Sequence, residues 1–279
     1  MTIASPAACI IGWPAAHSRS PLIHRFWLKA HGIDGDYRIE AVPPENFASF
    51  IAHLGQRGYA GANVTIPHKE QALNLSAPDD RARAVGAANT LWFEGDVLRS
   101  TNTDVEGFIN NLRACVPDWN TRGTALVLGA GGSARAVVYG LLEQGAARVD
   151  VVNRTQDKAE ALRATFGDKV HAHGWDALAA LMKNADLLVN TTSLGMKGQP
   201  PLPIDLASLP PHAVVADLVY VPLQTALLEA AQARGLQVAD GLGMLLYQAV
   251  RGFALWFGLT PQVTPDLRKL IEDDLARKV

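Results

Sequence analysis

Residues 124–135, TALVLGAGGSAR, constrain this chain more than any other stretch. An apolar run short enough for a buried strand leads into Gly129, Gly131 and Gly132, and a helical pattern follows. The spacing is G-x-G-x-x-A, with Ala134 at the third position. In a strand–turn–helix unit the first glycine makes the tight turn. The second lets the backbone approach a pyrophosphate, which sits on the unpaired N–H groups of the helix start. The motif alone is weak. A second strand pattern at RVDVVNR, residues 148–154, places it in a βαβ unit and strengthens it. The span Gly129, Ala130, Gly131, Gly132, Ser133 and Ala134 is the expected cofactor cradle.

The end of that second strand selects the dinucleotide. An acid there would bind a ribose 2′-hydroxyl. This chain has Asn153-Arg154-Thr155 instead, with Lys158 one turn on. Arg154 offers a planar fork to a 2′-phosphate, Thr155 a hydroxyl and Lys158 a point charge. The reading is NADP; the plainer alternative is a solvated basic turn. Thr192 and Ser193, in NTTSLGM (190–196), follow a further strand pattern, where open α/β sheets bind ligands.

Strand and helix patterns alternate through most of the chain. Strands are expected at 8–12, 37–42, 62–66, 90–93, 125–128, 149–152, 187–190, 214–217 and 237–239. Helices are expected at 45–56, 134–144, 156–165 and 225–234, and from Asp104 to about Ala114. This is the pattern of an α/β fold with mainly parallel sheets. With 279 residues, two domains are expected, the boundary lying near 104–123. The segment 241–259 reads as a largely buried helix and 264–278 as an amphipathic one started by Pro265.

The 25 basic and 27 acidic residues nearly cancel, and no basic stripe marks a nucleic-acid or anionic-membrane partner. No apolar run is long enough to span a bilayer. The N-terminus lacks the basic and apolar regions of a signal peptide. Cys9 and Cys115 fit neither a disulfide framework nor a metal-ligand spacing, so no metal is expected. The expected location is cytoplasmic.

Three polar clusters lie outside the glycine-rich unit. Ser18-Arg19-Ser20-Pro21 follows the first strand; its hydroxyls suit a carboxylate, although serine before proline is also an ordinary helix cap. In NVTIPHK (63–69), Pro67 reads as the opening residue of a helix. Lys69 then sits in the first turn, where the helix macrodipole disfavours a cation. A cation placed against the local field needs a partner or a task. The third cluster joins GAANT (86–90) to STNTD (100–104). Thr103 and Glu106 fit a capping box, which puts Asp104 in a first turn that favours an acid. As a plain helix-start acid, Asp104 would be unremarkable.

HSRSP, NVTIPHK, GAANT, NTDVEGF, GAGGSAR, NRT, NTTSLGM, DLVYVP and GLGMLLYQA occur in the order seen in shikimate dehydrogenases, and the chain resembles that family from about residue 9 to 257. One position departs: Val105 follows Asp104 where glycine is common. The resemblance implies NADPH-dependent, reversible reduction of 3-dehydroshikimate to shikimate in aromatic amino-acid biosynthesis. It implies a discontinuous α/β substrate-binding domain (1–104 with 241–279) facing a Rossmann-type NADP-binding domain (105–240) across a cleft. It makes Lys69 and Asp104 the catalytic pair, places the carboxylate on Ser18 and Ser20 with Thr65 nearby, and directs Asn89 and Gln248 to ring hydroxyls. Tyr220 would line the cleft, and Gly241 would meet the cofactor. Gln248 has a plainer reading, in which it shares a solvent face with Arg251. A monomer or homodimer is expected. The nearest alternatives are a quinate/shikimate or aminoshikimate dehydrogenase; a more distant one is a non-catalytic NADP sensor, which would not need a proton-transfer pair.

Overall fold

A computed structural model describes residues 6–277; residues 1–5, in the segment read as lacking a signal peptide, and residues 278–279, which include Lys278 at the end of the last expected helix, lie outside the described residues. The chain divides into two compact units, one of residues 1–103 with 248–279 and one of 104–247.

The first unit carries β1 (Ala7–Gly12), α1 (Ser20–Ala30), β2 (Asp36–Ala41), α2 (Pro44–Ala52), β3 (Tyr59–Val64), α3 (Lys69–Asn74), β4 (Ala77–Pro78), α4 (Asp80–Val85), β5 (Thr90–Glu94) and β6 (Val97–Thr101). Its sheet runs β2-β1-β3-β5-β6-β4. β1 pairs in parallel with β2 and β3, while β5 is antiparallel to both its neighbours, β3 and β6. β6 pairs in parallel with β4, so only β5 runs against the other strands and the expectation of mainly parallel sheets holds here too. The reversal is local: Gly95-Asp96 joins β5 to β6 as a two-residue hairpin, with Gly95 at φ 60°.

Every residue of β1 is buried, as a strand covered on both faces must be. One face packs Cys9 and Ile11 with Phe47, Phe50 and Ile51 of α2. The other packs Ala8, Ile10 and Tyr37 with Trp256.

The second unit holds α5 (Asp104–Cys115), β7 (Thr124–Leu128), α6 (Gly132–Glu143), β8 (Arg148–Val152), α7 (Gln156–Phe166), β9 (Val170–His173), α8 (Leu178–Leu181), β10 (Leu187–Asn190), β11 (Val214–Asp217), α9 (Ala226–Ala233) and β12 (Gln237–Ala239). The sheet order is β12-β11-β10-β7-β8-β9, parallel throughout. Counted within the unit, this is 3-2-1-4-5-6, the doubly wound dinucleotide-binding order, with its switch point between β7 and β10. Phe108, Leu112, Val137 and Leu141 of α5 and α6 cover one face, and Leu178, Leu227 and Leu228 cover the other.

Helix α10 (Gly241–Phe257) follows β12, and the division of the chain falls within it, at Tyr247/Gln248. Only Arg251 in it is exposed, which fits the buried helix expected there. α11 (Pro265–Arg277) buries Leu267, Ile271 and Leu275, one residue per turn. Within the first unit it is tied to the start of α1 by an Arg19 Nε–Asp274 Oδ2 pair at 3.3 Å.

Candidate active site

In the second unit, the switch point of the sheet gathers the glycine-rich turn and the threonines after β10. The Gly129 N–H donates to the Val152 carbonyl at 2.8 Å, and the Thr191 N–H to the Leu128 carbonyl at 2.9 Å. Gly129 has φ +103°, and a Cβ there would lie 2.7 Å from Thr191 Oγ1 and 3.0 Å from Thr192 Cγ2. Only glycine fits this position, because both its backbone angle and the available space exclude a side chain. Gly131 and Gly132 differ. A Cβ on either would meet no atom within 4 Å, and both are exposed with Ser133. They leave the start of α6 open, without a side-chain cap and without an acid in its first turn. Ala134 is fully buried, as close helix–sheet packing requires. Unpaired N–H groups, a positive helix end and open space together fit an anionic pyrophosphate.

Asn153, Arg154 and Thr155 turn the chain from β8 into α7. Asn153 Nδ2 donates to the Thr155 carbonyl at 2.8 Å and fixes the turn. Thr155 is the N-cap residue of α7, but its hydroxyl caps no N–H. Arg154, Thr155 and Lys158 are exposed, and the two cationic side chains have no hydrogen-bond or ion-pair partner among the described residues. This basic edge beside the glycine-rich turn suits a 2′-phosphate.

Thr192 makes its own turn: Asn190 Oδ1 accepts from its N–H at 3.0 Å and its hydroxyl at 2.7 Å. Ser193 follows it in the same loop. Asn190 Nδ2 in turn donates to the buried carboxylate of Asp217 at 2.9 Å. Burial raises the pKa of Asp217, opposed by donors from Thr225, Val219 and Asn190. Tyr220 lies half-buried just beyond β11. Gly241 opens α10 where a Cβ would come within 2.3 Å of the Leu218 carbonyl oxygen, so this position also has no room for a side chain.

In the first unit, the expected polar residues cluster at the strand ends. Ser18 Oγ accepts from the Ser20 N–H at 3.2 Å, just ahead of α1, and Ser20 is buried. Thr65 follows β3 and packs so closely on the end of β1 that a Cβ on Gly12 would lie 2.4 Å from its Cγ2. Pro67 does not open a helix. α3 begins two residues later, at Lys69 itself, after a cis Ile66–Pro67 bond. The preceding His68 anchors the turn, its ring stacked on Phe47 at 4.3 Å and its Nε2 donating to the Val42 carbonyl at 2.7 Å. Lys69 is half-buried, and its carbonyl accepts from the Ala88 N–H at 2.9 Å, which joins it to the GAANT loop.

Asn89 and Gln248 belong to one buried polar chain. Asn89 Oδ1 accepts from the Thr103 N–H at 2.8 Å and from the hydroxyls of Thr103 and Thr90, both at 3.1 Å. Thr103 Oγ1 also reaches Gln248 Oε1 at 3.4 Å. Gln248 is 8 % exposed, so the solvent-face reading fails. Behind these residues, Asn63 Nδ2 donates to Thr90 Oγ1 at 3.1 Å, and Asn63 Oδ1 accepts from the Tyr37 hydroxyl at 2.5 Å. Tyr37 stacks on His24 at 4.1 Å.

Sequence reasoning did not reach Tyr37, Asn63, Thr90 or His24, and it gave Thr103 only a capping role. Asn63 and Thr90 lie inside motifs already singled out; a polar side chain within an otherwise buried strand was the available signal. Asp104 is the first residue of α5, at the start of the second unit, whereas Lys69 lies in the first.

Three family models match. "Shikimate dehydrogenase substrate binding domain" covers residues 10–91, "Shikimate / quinate 5-dehydrogenase" 115–196 and "Shikimate 5′-dehydrogenase C-terminal domain" 241–270. A relative from Nitrobacter winogradskyi named shikimate dehydrogenase (NADP(+)) is 67% identical over 269 residues, 96% of each chain. A shikimate 5-dehydrogenase from Thermus thermophilus, solved with NADP(H) and shikimate, is 35% identical with a TM-score of 0.84, over 98% of this chain and 100% of its own. A quinate dehydrogenase from Corynebacterium glutamicum, solved with NAD, is 28% identical with a TM-score of 0.90, over 96% and 99%. With full-length identity at this level and matching models in three parts of the sequence, the chain belongs to the shikimate dehydrogenase family.

Proposed function

We propose that this protein is an NADP-dependent shikimate dehydrogenase, reversibly reducing 3-dehydroshikimate to shikimate in aromatic amino-acid biosynthesis. What carries the reading is its full-length likeness to relatives of that name. The open start of α6 and the basic turn after β8 support the choice of cofactor. The quinate reading is kept as the alternative because a structural neighbour acts on quinate.

Gly129–Ala134 and Thr192–Ser193 would hold the pyrophosphate, Asn153, Arg154, Thr155 and Lys158 the 2′-phosphate end, and Gly241 the nicotinamide end. The bound cofactor supplies or accepts the hydride. The chain's own residues do the rest. Ser18 and Ser20 hold the ring carboxylate, while Thr65, Asn89, Gln248 and Tyr220 fix the ring. Lys69 gives a proton to the C3 oxygen as the carbonyl is reduced and takes it back in the reverse direction, and Asp104 is its catalytic partner. General acid–base action of this kind contributes about 10²–10⁴-fold. Residues 1–104 with 241–279 would be the substrate-binding part and 105–240 the cofactor-binding part, a division close to that of the two compact units. No described helix is long and apolar enough to cross a membrane. We take the protein to work in the cytoplasm, as a monomer or homodimer.

The test is reduction of NADP by purified protein with shikimate, and separately with quinate and with NAD. Activity confined to shikimate and NADP is expected. A preference for quinate or NAD would move the protein to the alternative class, and no turnover with any pair would leave the sensor reading.

A further inference from the structure

The amide orientations in the buried chain around Asn89 follow from groups that can act in only one way. The Thr103 N–H can only donate, and it lies 2.8 Å from the Asn89 amide. The oxygen of that amide must therefore face inward, and its nitrogen must face away. The Asn89 carbonyl can only accept, and it lies 3.3 Å from Asn63 Nδ2, which fixes the Asn63 amide in the same manner. Asn63 Nδ2 then also donates to Thr90 Oγ1. The Thr90 hydroxyl, having accepted that bond, still has its own proton to give, and Asn89 Oδ1 and Thr103 Oγ1 both lie 3.1 Å away. Thr103 has a single hydroxyl proton and three acceptors in reach, Asn89 Oδ1, Thr90 Oγ1 and Gln248 Oε1. When Thr90 serves Asn89, the Thr103 proton is left for Gln248. Asn63, Asn89, Thr90 and Thr103 are each at most 3 % exposed, so water does not compete.

We propose that Thr90 is a positioning residue for substrate. Its hydroxyl, held by Asn63, locks the Asn89 amide plane so that Nδ2 is presented as a donor to a ring hydroxyl. The proposal rests on the reading that Asn89 binds substrate. The Thr103 N–H fixes which end of the amide faces inward, and the Thr90 hydroxyl adds a second donor to the same oxygen, which restrains the amide plane. Losing that donor costs substrate affinity without removing any group that contacts the reacting carbon.

The experiment is steady-state kinetics on the full-length protein with shikimate and NADP, alongside melting temperatures. Thr90→Val removes the hydroxyl at nearly constant volume, and Thr90→Ala does so should the valine variant fail to fold. Either should raise KM for shikimate about 3–10-fold, the scale of one hydrogen bond. The KM for NADP should not move, and kcat should stay within about twofold of wild type. Thr90→Ser should restore the wild-type KM. Asn89→Ala, measured in parallel, tests the underlying reading. If it raises KM for shikimate while neither hydroxyl-free variant does, the lock is wrong and the site reading stands. If Asn89→Ala leaves KM unchanged, the site reading fails and the lock falls with it. A Thr90→Val effect on kcat and melting temperature alone, not repaired by serine, would make Thr90 merely structural and overturn the proposal.

Discussion

Lowering the pH from 7 to 4.5 should destabilise this protein through one residue, His24. The imidazole is completely buried, with Tyr37 stacked on it at 4.1 Å, Phe253 at 6.0 Å, and Trp27 and Trp256 at 5.7 and 5.4 Å. Neither ring nitrogen has a hydrogen-bond partner among the described residues. Desolvation lowers its pKa from 6.5 to about 3. As pH falls, the unfolded chain takes up the proton first, so the contribution of His24 is intact above pH 6.5 and is lost progressively down to about pH 3. Each pH unit in that window costs about 1.4 kcal/mol. At pH 4.5, two units below the unfolded value, the loss is about 3 kcal/mol, a large part of a typical folding free energy of about 5–15 kcal/mol. His24→Phe keeps a flat ring in the aromatic stack and removes the titration. Urea unfolding followed by tryptophan fluorescence, at both pH values, measures the difference. Carboxylates titrate alike in both proteins and cancel. The wild type should lose about 3 kcal/mol more than the variant between pH 7 and 4.5. Equal losses in the two proteins would show that His24 is not held neutral by burial.

Three further outcomes follow from the site. Arg154→Asp should erode most of the preference for NADP over NAD in kcat/KM, since a charge-assisted phosphate contact is worth about 1.5–3 kcal/mol, or about 10–150-fold; a preference unchanged in the variant would release Arg154 from that role. Gly129→Ala should cost at least about 1–2 kcal/mol from the left-handed backbone alone, with the contact to Thr191 adding to it. Calorimetric titration with NADP should show the affinity of that variant lost, and unchanged binding would contradict the geometry of the turn. Quinate carries an extra hydroxyl on the carboxylate-bearing carbon, and if Ser18 and Ser20 are fitted to the carboxylate of shikimate it should be oxidised poorly at equal concentration; comparable kcat/KM for the two acids would favour the quinate class.

The cofactor side was legible because its signals are local. A strand, three glycines and the start of a helix lie within twelve residues, and the φ of +103° at Gly129 asks for glycine whatever packs around it. The basic turn at Arg154 is equally local. The first unit was harder. The Gly95-Asp96 pair between two short β patterns is a hairpin signal that the reading passed over, and strand β6 and the reversed direction of β5 were lost with it. Pro67 was misplaced because a proline near a helix start is ordinarily its first residue, whereas here the backbone turns once more before Lys69. The polar chain from Tyr37 through Asn63 and Thr90 to Gln248 joins residues separated by up to 211 positions, and each looks unexceptional where it stands. Only the sheet order brings them together.

Lys69→Ala, assayed in steady state with shikimate and NADP and controlled by its melting temperature, tests the central claim most directly. If Lys69 moves the proton at the C3 oxygen, kcat should fall by about 10²–10⁴-fold. The KM for shikimate should change far less, because the carboxylate and the other hydroxyls keep their own partners. The melting temperature should hardly move, since a half-buried residue at a six-residue helix start contributes little to the fold. A variant that keeps the wild-type kcat and shows only a raised KM would make Lys69 a binding residue and contradict the catalytic assignment.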